Sequence, residues 1–365
     1  MDYAFYMKMA LNLARKGVGR TSPNPCVGAV VVRDNQVVGR GWHRRTGTPH
    51  AEVHALEEAG TLARGATIVV TLEPCHHQGR TPPCSRAILA AGIKRLVYGM
   101  GDPTPLAGGG ACFLAEKGVE VIGGVLEEQC RRLNRPFISR VTRGKPWVLL
   151  KAATSLDGRI ATAAGLSKWI TGEHSRKAVH RIRNRCDAIM VGVGTVLADD
   201  PSLTTRLPGA RGRDPRRIIL DTTLRTPPTA RVLGLPSSLP TTIYCGPAAR
   251  EERVRELAAL GADIRRAGLN GHGSLDLTEV LADLGALGVN ELLVEGGGQV
   301  HGAFLRAELA DELALFIAPL ILGADGVAAV GPLGLNELVS APRLQEVVRR
   351  RHGEDLMVRG LIKKL

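Results

Sequence analysis

A chain of 365 residues exceeds the usual span of one hydrophobic core, and its 44% hydrophobic content is enough to bury two. Aromatics make up only 3%, so the cores have to be built from aliphatic side chains, as in α/β proteins. The formal net charge of +13 is diffuse, with no like-charge block longer than Arg349 to Arg351 and no interleaved aromatics; it fits a small anionic substrate better than a polynucleotide, and simple solubility accounts for it as well.

The residues from Met1 to Gly17 mix Tyr, Phe and Met with Lys8, Arg15 and Lys16 at helical spacing, which is no signal-peptide pattern. The apolar run Leu313 to Leu322 is too short to span a bilayer. Seven cysteines, an odd number spread along a long chain, suit free or metal-bound thiols in a reducing cytoplasm.

In chain order, a helix is expected from Tyr3 to Lys16, then a hairpin of Val27 to Arg33 and Gln36 to Trp42 turned by Asp34-Asn35. A short helix follows Pro49. Strands at Thr67 to Leu72, Arg95 to Gly99 and Val119 to Ile122 then alternate with helices at Cys84 to Ala91, near Phe113 and at Leu126 to Val141, so the sheet should be covered on both faces. The pattern restarts at Arg143-Gly144-Lys145-Pro146, which divides the chain into domains 1–144 and 145–365. Beyond it, Trp147 to Ala153, Asp187 to Val193, Arg217 to Leu220, Thr241 to Tyr244 and Glu291 to Val294 read as buried strands. Helices include Glu173 to Asn184 and Arg250 to Leu260. The runs Leu344 to Arg351 and Leu356 to Ile362 form a closing hairpin.

The most specific local feature is Pro49-His50-Ala51-Glu52, followed by Thr71-Leu72-Glu73-Pro74-Cys75 and then Cys84. One imidazole and two thiolates supply three ligands to a tetrahedral zinc and leave the fourth position open for water, as in a catalytic rather than a structural site. Glu52, two residues from His50, can stand beside the metal as a proton carrier, the His-x-Glu with Pro-Cys signature of zinc nucleobase deaminases. His50 and His54 also share zincin spacing, but the Glu stands one place late for that chemistry. Cys26, Cys112, Cys130, Cys186 and Cys245 lack such neighbours and are expected to be buried thiols.

Eight residues, His76 to Pro83, separate the two cysteines, where most zinc deaminases acting on nucleosides or tRNA have two. That gap, ending Gly79-Arg80-Thr81-Pro82-Pro83, and the segment Ser22-Pro23-Asn24-Pro25-Cys26-Val27-Gly28 resemble the deaminase half of the bifunctional riboflavin biosynthesis enzymes. The resemblance covers nearly the whole chain. It implies a cytidine-deaminase-like three-layer α/β/α domain acting on a phosphoribosylated diaminopyrimidinone, with His50, Cys75 and Cys84 on zinc and Glu52 moving protons. Asn24 and His43 would contact base or sugar, and Arg80 with His76 or His77 would approach the phosphate. Some family members carry Lys at the position of Arg80, an ammonium where a planar guanidinium stands here.

The second half has no ligand cluster. It has Glu295-Gly296-Gly297-Gly298-Gln299 between an apolar strand and a helical stretch, where backbone amides can approach phosphate or where the chain simply turns. Lys151 to Gly158, Ser167 to Thr171, Gly194 to Pro201 and Leu203 to Arg206 resemble the reductase half of the same family, which implies a dihydrofolate-reductase-like α/β domain. By that resemblance Ala153, Trp169, Thr195, Asp199, Thr222, Gly297, Gly298, Gln299, Val300, His301, Gly302 and Ala303 line the NADPH site. Lys151, Ser167, Arg183, Leu203, Arg206 and Glu295 hold substrate, and a hydride passes from the nicotinamide to the carbon of the opened ribose, giving a ribityl chain. Singly, Trp169 could be core, Asp199 a helix cap, and Arg183 and Arg206 a solvated face.

The expected partners are a small phosphorylated pyrimidine and further copies of the chain, with no nucleic acid and no membrane. The alternative is a nucleic-acid or nucleoside deaminase with an appended binding domain; the wide cysteine spacing and the second glycine-rich site argue against it.

Overall fold

The computed structural model describes residues 1–77, 82–104, 108–207, 209, 212–235 and 239–363. The chain divides into two compact units, Met1–Gly144 and Lys145–Leu365.

In the first unit, α1 (Tyr3–Ala14) precedes the hairpin of β1 (Gly28–Arg33) and β2 (Gln36–Trp42). Asp34 and Asn35 adopt φ of 49° and 59°, the left-handed pair that a tight two-residue hairpin turn needs. There follow α2 (Ala51–Ala59), β3 (Thr67–Leu72), α3 (Cys84–Ala90), β4 (Arg95–Met100), α4 (Gly110–Glu116), β5 (Glu120–Ile122), α5 (Glu127–Leu133) and α6 (Arg135–Arg143). The sheet runs β2-β1-β3-β4-β5, parallel from β3 onward.

Two glycines let helices lie directly on it. A Cβ on Gly28 would come within 2.1 Å of the Ala10 carbonyl in α1, and one on Gly41 within 2.1 Å of the Ala51 carbonyl in α2. Gly41 pairs with Ala29, the neighbour of Gly28, so α1 and α2 cover opposite faces of the sheet. This is the three-layer, cytidine-deaminase-like arrangement.

The helix expected from Leu126 to Val141 is broken in two. Asn134, at φ −102° and ψ 13°, leaves the helical region. Its buried side chain holds Cys26 at both ends, accepting from Cys26 N at 2.8 Å and donating to Cys26 O at 3.0 Å, and Pro136 lacks the amide that would continue the ladder.

The second unit contains β6 (Trp147–Thr154), β7 (Arg159–Ala161), α7 (Glu173–Arg185), β8 (Ala188–Gly192), α8 (Val193–Asp199), β9 (Arg216–Leu220), β10 (Thr242–Cys245) and α9 (Glu251–Ala259). It continues with β11 (Asp263–Arg266), α10 (Leu277–Ala286), β12 (Glu291–Val294), α11 (Gly298–Arg306), β13 (Glu312–Ile317), β14 (Val327–Ala328), β15 (Arg343–His352) and β16 (Asp355–Lys363). One sheet runs β11-β10-β9-β8-β12-β6-β13-β16-β15, parallel from β11 to β13 and antiparallel through the last hairpin. β7 and β14 form a separate pair.

Leu149 packs with Val179 and Ile182 of α7, whereas Val148 and Leu150 pack with Leu281 of α10 and Phe304 of α11. The alternation along β6 therefore places α7 on one face and α10 with α11 on the other. Asp355, at the turn of the last hairpin, accepts from Gly172 N at 2.8 Å and Ser175 Oγ at 2.5 Å, which ties the hairpin to the start of α7. The run at Leu313 is strand β13, held between β6 and β16. Among the described residues no helix is long and apolar enough to cross a membrane.

Candidate active sites

The first site lies where α2 and α3 start. His50 is the extended residue that caps α2, so its ring hangs off the helix end and Glu52 enters the first turn. Pro83 precedes α3 and Cys84 is its first residue, which directs the Cys84 amide at the Cys75 sulfur, 3.4 Å away. His50 Nδ1 stands 3.1 Å from Cys84 Sγ and 3.7 Å from Cys75 Sγ, and all three ligand atoms lie within 4.8 Å of one another. Ligands on a tetrahedral zinc with bonds of about 2.0 to 2.3 Å stand roughly 3.6 Å apart, so the donor set fits that metal in type and spacing. It is the only cluster of three potential metal ligands found among the described residues.

Burial raises the Glu52 carboxyl to about 7, opposed by the neighbouring His50, and Glu52 Oε2 has no hydrogen-bond partner among the described residues. A buried carboxylate oxygen left free beside the cluster is what a proton carrier requires. The hydrogen bond from Cys84 pulls the Cys75 thiol far down, with that from His50 adding to it, so one of the two sulfurs is anionic before the other. His50 is raised in turn by its bond to Cys75.

His43 is buried, and burial lowers its pKa. Its Nε2 lies 3.1 Å from Asn24 Nδ2 and its Nδ1 3.3 Å from the Pro49 carbonyl. Amide donation to Nε2 leaves the ring proton on Nδ1, and the ring stands edge-on to His50 with centroids 5.3 Å apart. Asn24 and His43 thus join the cluster of His50. His76 stacks on Phe113 at 4.3 Å and meets Ser85 Oγ at 2.9 Å. His77 is exposed, and Arg80 lies outside the described residues. The expectation of buried thiols holds at Cys130, Cys186 and Cys245, is met only in part at the half-buried Cys26, and fails at Cys112, which is exposed because α4 buries Gly110 and Leu114 on its other side.

The second set gathers at the C-terminal edge of the parallel strands, where α/β sheets hold ligands. Lys151 and Ala153 share one face of β6. Glu295, just past β12, takes Arg183 in a bidentate pair, from Nε at 2.7 Å and Nη2 at 2.9 Å, with Lys151 Nζ at 3.5 Å. Burial alone would raise the Glu295 carboxyl, yet Arg183 and Lys151 hold it at about 2. Burial lowers Lys151, and its Glu295 partner opposes that. Arg183 is therefore no solvated-face residue. Its Nη1 also reaches Thr204 O at 3.0 Å, which fastens the loop of Leu203, buried at φ 52°, and the exposed Arg206.

Gly297 caps α11 at φ −70°, and a Cβ built on it meets nothing within 4 Å. The start of α8 adjoins it, since a Cβ on Gly192 would touch Val300 at 2.9 Å. Two helix starts beside open space suit the phosphates of a dinucleotide such as NADPH. Thr195 lies in the first turn of α8, and Thr222 just beyond β9, its carbonyl accepting from Gly246 N at 2.9 Å. Ser167 Oγ donates to Asp199, the last residue of α8, at 2.9 Å. Trp169 is 68% exposed, with Arg176 over its ring, so it is not core.

Gln299 is exposed in the first turn of α11, but Gly298 is buried against the Ala328 carbonyl, Val300 packs against Gly192 and Gly296, and the residues after them also turn elsewhere. His301 is buried between the Ala329 and Val294 carbonyls, Gly302 lies on Gly331, and Ala303 lines a separate cavity of about 540 Å³ with Leu277 and Arg306. Sequence reasoning missed the role of Glu73, whose carboxylate accepts from the amides of Asp102, Gly109 and Ala111 and clamps that segment beside Cys75. It also missed His180, which no local motif marks.

Residues 2–100 match the cytidine and deoxycytidylate deaminase zinc-binding region, and residues 146–358 match the RibD C-terminal domain. The chain is 43% identical to the riboflavin biosynthesis protein RibD of Bacillus amyloliquefaciens, covering 98% of this chain and 96% of that one. It is 41% identical to RibD of Escherichia coli K12, covering 98% of each. Among solved structures, Acinetobacter baumannii RibD superposes with a TM-score of 0.90 at 36% identity, over 99% of both chains. The Thermotoga maritima diaminohydroxyphosphoribosylaminopyrimidine deaminase/5-amino-6-(5-phosphoribosylamino)uracil reductase gives 0.84 at 37%, again over 99% of both. The zinc-type donor set in one unit, the open glycine cradle in the other and these full-length likenesses lead to one conclusion: the chain belongs to the RibD family of bifunctional deaminase and reductase enzymes of riboflavin biosynthesis.

Proposed function

We propose that the unit 1–144 deaminates 2,5-diamino-6-(5-phosphoribosylamino)pyrimidin-4(3H)-one and that the unit 145–365 then reduces the ribosyl side chain of the product to ribityl with NADPH. The observation that carries the first half is the buried, unpartnered Glu52 Oε2 beside the trio His50, Cys75 and Cys84. Those three residues would hold zinc, which when bound activates water at neutral pH. Glu52 takes the proton from the attacking water and returns it to the departing amine, so that ammonia leaves. Asn24 and His43, locked together in one tautomeric arrangement, orient the base. Arg80 has the charge to meet the substrate phosphate.

For the second half, the starts of α8 and α11 would receive the NADPH phosphates, Gly297 leaving room for them, and Ala153, Trp169, Thr195, Asp199 and Thr222 complete that wall. NADPH when bound supplies the hydride. Lys151, Arg183, Arg206, Leu203, Ser167 and Glu295 hold the phosphorylated ribose. Arg183 is kept rigid by its two bonds to Glu295, so little side-chain freedom is lost when substrate arrives. The partners are the small phosphorylated pyrimidine and further copies of the chain, without nucleic acid. Seven cysteines, none of them in a disulfide, suit the cytoplasm as the compartment.

The test supplies the diaminopyrimidinone phosphate with and without NADPH and follows ammonia and NADPH oxidation separately. Ammonia should appear in both samples and NADPH should be consumed only after deamination. NADPH oxidation without prior ammonia release, or no ammonia from zinc-loaded protein, would overturn the assignment.

A further inference from the structure

The loop carrying Arg206 is fastened residue by residue. Thr204 O accepts from Arg183 Nη1 at 3.0 Å, Thr205 N donates to Asp214 Oδ1 at 2.7 Å, and Arg206 N donates to His180 Nδ1 at 3.2 Å. His180 and Arg183 are three apart on α7, so they face the loop together and grip it at two points. We propose that His180 is a positioning residue of the reductase substrate site, holding the Arg206 amide through Nδ1 and thereby aiming the Arg206 guanidinium at the substrate phosphate. The inference rests on the reading above that Arg206 holds substrate.

The chemistry of the ring agrees with that role. Nδ1 can accept only while it carries no proton, so the ring has to stay neutral with its hydrogen on Nε2. The charged groups around it are Arg183 on its own helix, Arg206 on the loop, Lys151 on β6 and Glu295 beyond β12. Burial, then Arg183 and Arg206, push His180 down to about 4, with Glu295 in opposition, so Nδ1 remains an acceptor at neutral pH. The exposed Arg206 side chain has many rotamers, and a fixed backbone beneath it reduces the freedom that binding has to remove. A lysine or arginine in place of His180 would offer no acceptor.

The test is steady-state reduction of the deaminated phosphoribosyl substrate by the full-length zinc-loaded protein. His180→Leu, which keeps bulk without an acceptor, should raise the substrate KM about fivefold, the loss expected for one hydrogen bond, with kcat and the NADPH KM within about twofold of wild type. His180→Asn, whose Oδ1 can stand where Nδ1 stood, should restore most of that loss. In an Arg206→Ala background, His180→Leu should add nothing, because its effect runs through Arg206. Equal defects in the Leu and Asn variants, or multiplicative effects of His180→Leu and Arg206→Ala, would overturn the proposal, as would an unchanged KM in His180→Leu beside a raised one in Arg206→Ala. An unchanged KM in Arg206→Ala itself overturns the substrate reading of that residue and the proposal with it.

Discussion

Replacing Glu295 with Gln removes the one carboxylate that Arg183 and Lys151 share while keeping its shape. Its carboxyl falls from 4.5 to about 2 in the folded protein. A shift of that size corresponds to about 3 kcal/mol at neutral pH, in line with the roughly 3 to 5 kcal/mol lost when one partner of a buried ion pair is removed. Because the folded pKa is depressed, the stabilisation is full above about 4.5 and fades as the pH falls toward 2. For a unit of this size, each kcal/mol moves the melting point by about 2 to 4 °C, so Glu295→Gln should lower it by about 10 °C at pH 7. Calorimetry of the intact protein reads this directly, and the relevant transition is the one that added NADPH raises, since ligand stabilises only the unit that binds it. The gap between variant and wild type should shrink below pH 4.5. A drop of less than about 2 °C at pH 7, or a gap indifferent to pH, would show that the carboxylate does not bind the two cations together in the way its geometry indicates.

Cys75→Ser with Cys84→Ser should abolish stoichiometric zinc by metal analysis, and undiminished zinc would refute the ligand set. Glu52→Gln should retain zinc and lose ammonia release by roughly 10²-fold or more, while reduction of already deaminated substrate continues; near-normal ammonia release would remove Glu52 as the proton carrier. Gly297→Leu should fold normally, because φ is −70° and a Cβ there meets open space, yet raise the NADPH KM and leave ammonia release intact. An unchanged NADPH KM would separate that glycine from the cofactor.

What the sequence reveals is decided by how local each feature is. The zinc trio is legible because His50 and Glu52 sit in one short motif and Cys75 carries its own Pro-Cys signature. The β1–β2 hairpin is legible because Asp34-Asn35 tolerate positive φ where most residues do not. The break at Asn134 is not, since it depends on bonds to Cys26, 108 residues earlier in the chain. The same holds for His180, whose partner Arg206 becomes its neighbour only when the loop folds back onto α7. In sequence, strand β13 shows only as a run too short for a bilayer, because its partners β6 and β16 flank it from distant parts of the chain. The stretch Gly297 to Ala303 shows a further limit: a motif read position by position cannot tell that His301 and Gly302 turn inward while Gly297 faces open space.

Strand β6 is the first of its unit to be synthesised and lies at the middle of its sheet, with Trp147 paired to Glu291 and Leu149 to Glu312. Its apolar residues Val148, Leu149 and Leu150 therefore have no strand partner until well over a hundred further residues have left the ribosome, and the last hairpin, pinned through Asp355 to the start of α7, comes later still. The strands of the first unit pair only with one another, so that unit can complete its sheet while the second is still being made. During synthesis the exposed β6 is the point most open to wrong association, and a stop codon shortly before β16 would leave that strand's neighbour β13 uncovered even with every residue of both chemical sites already in place.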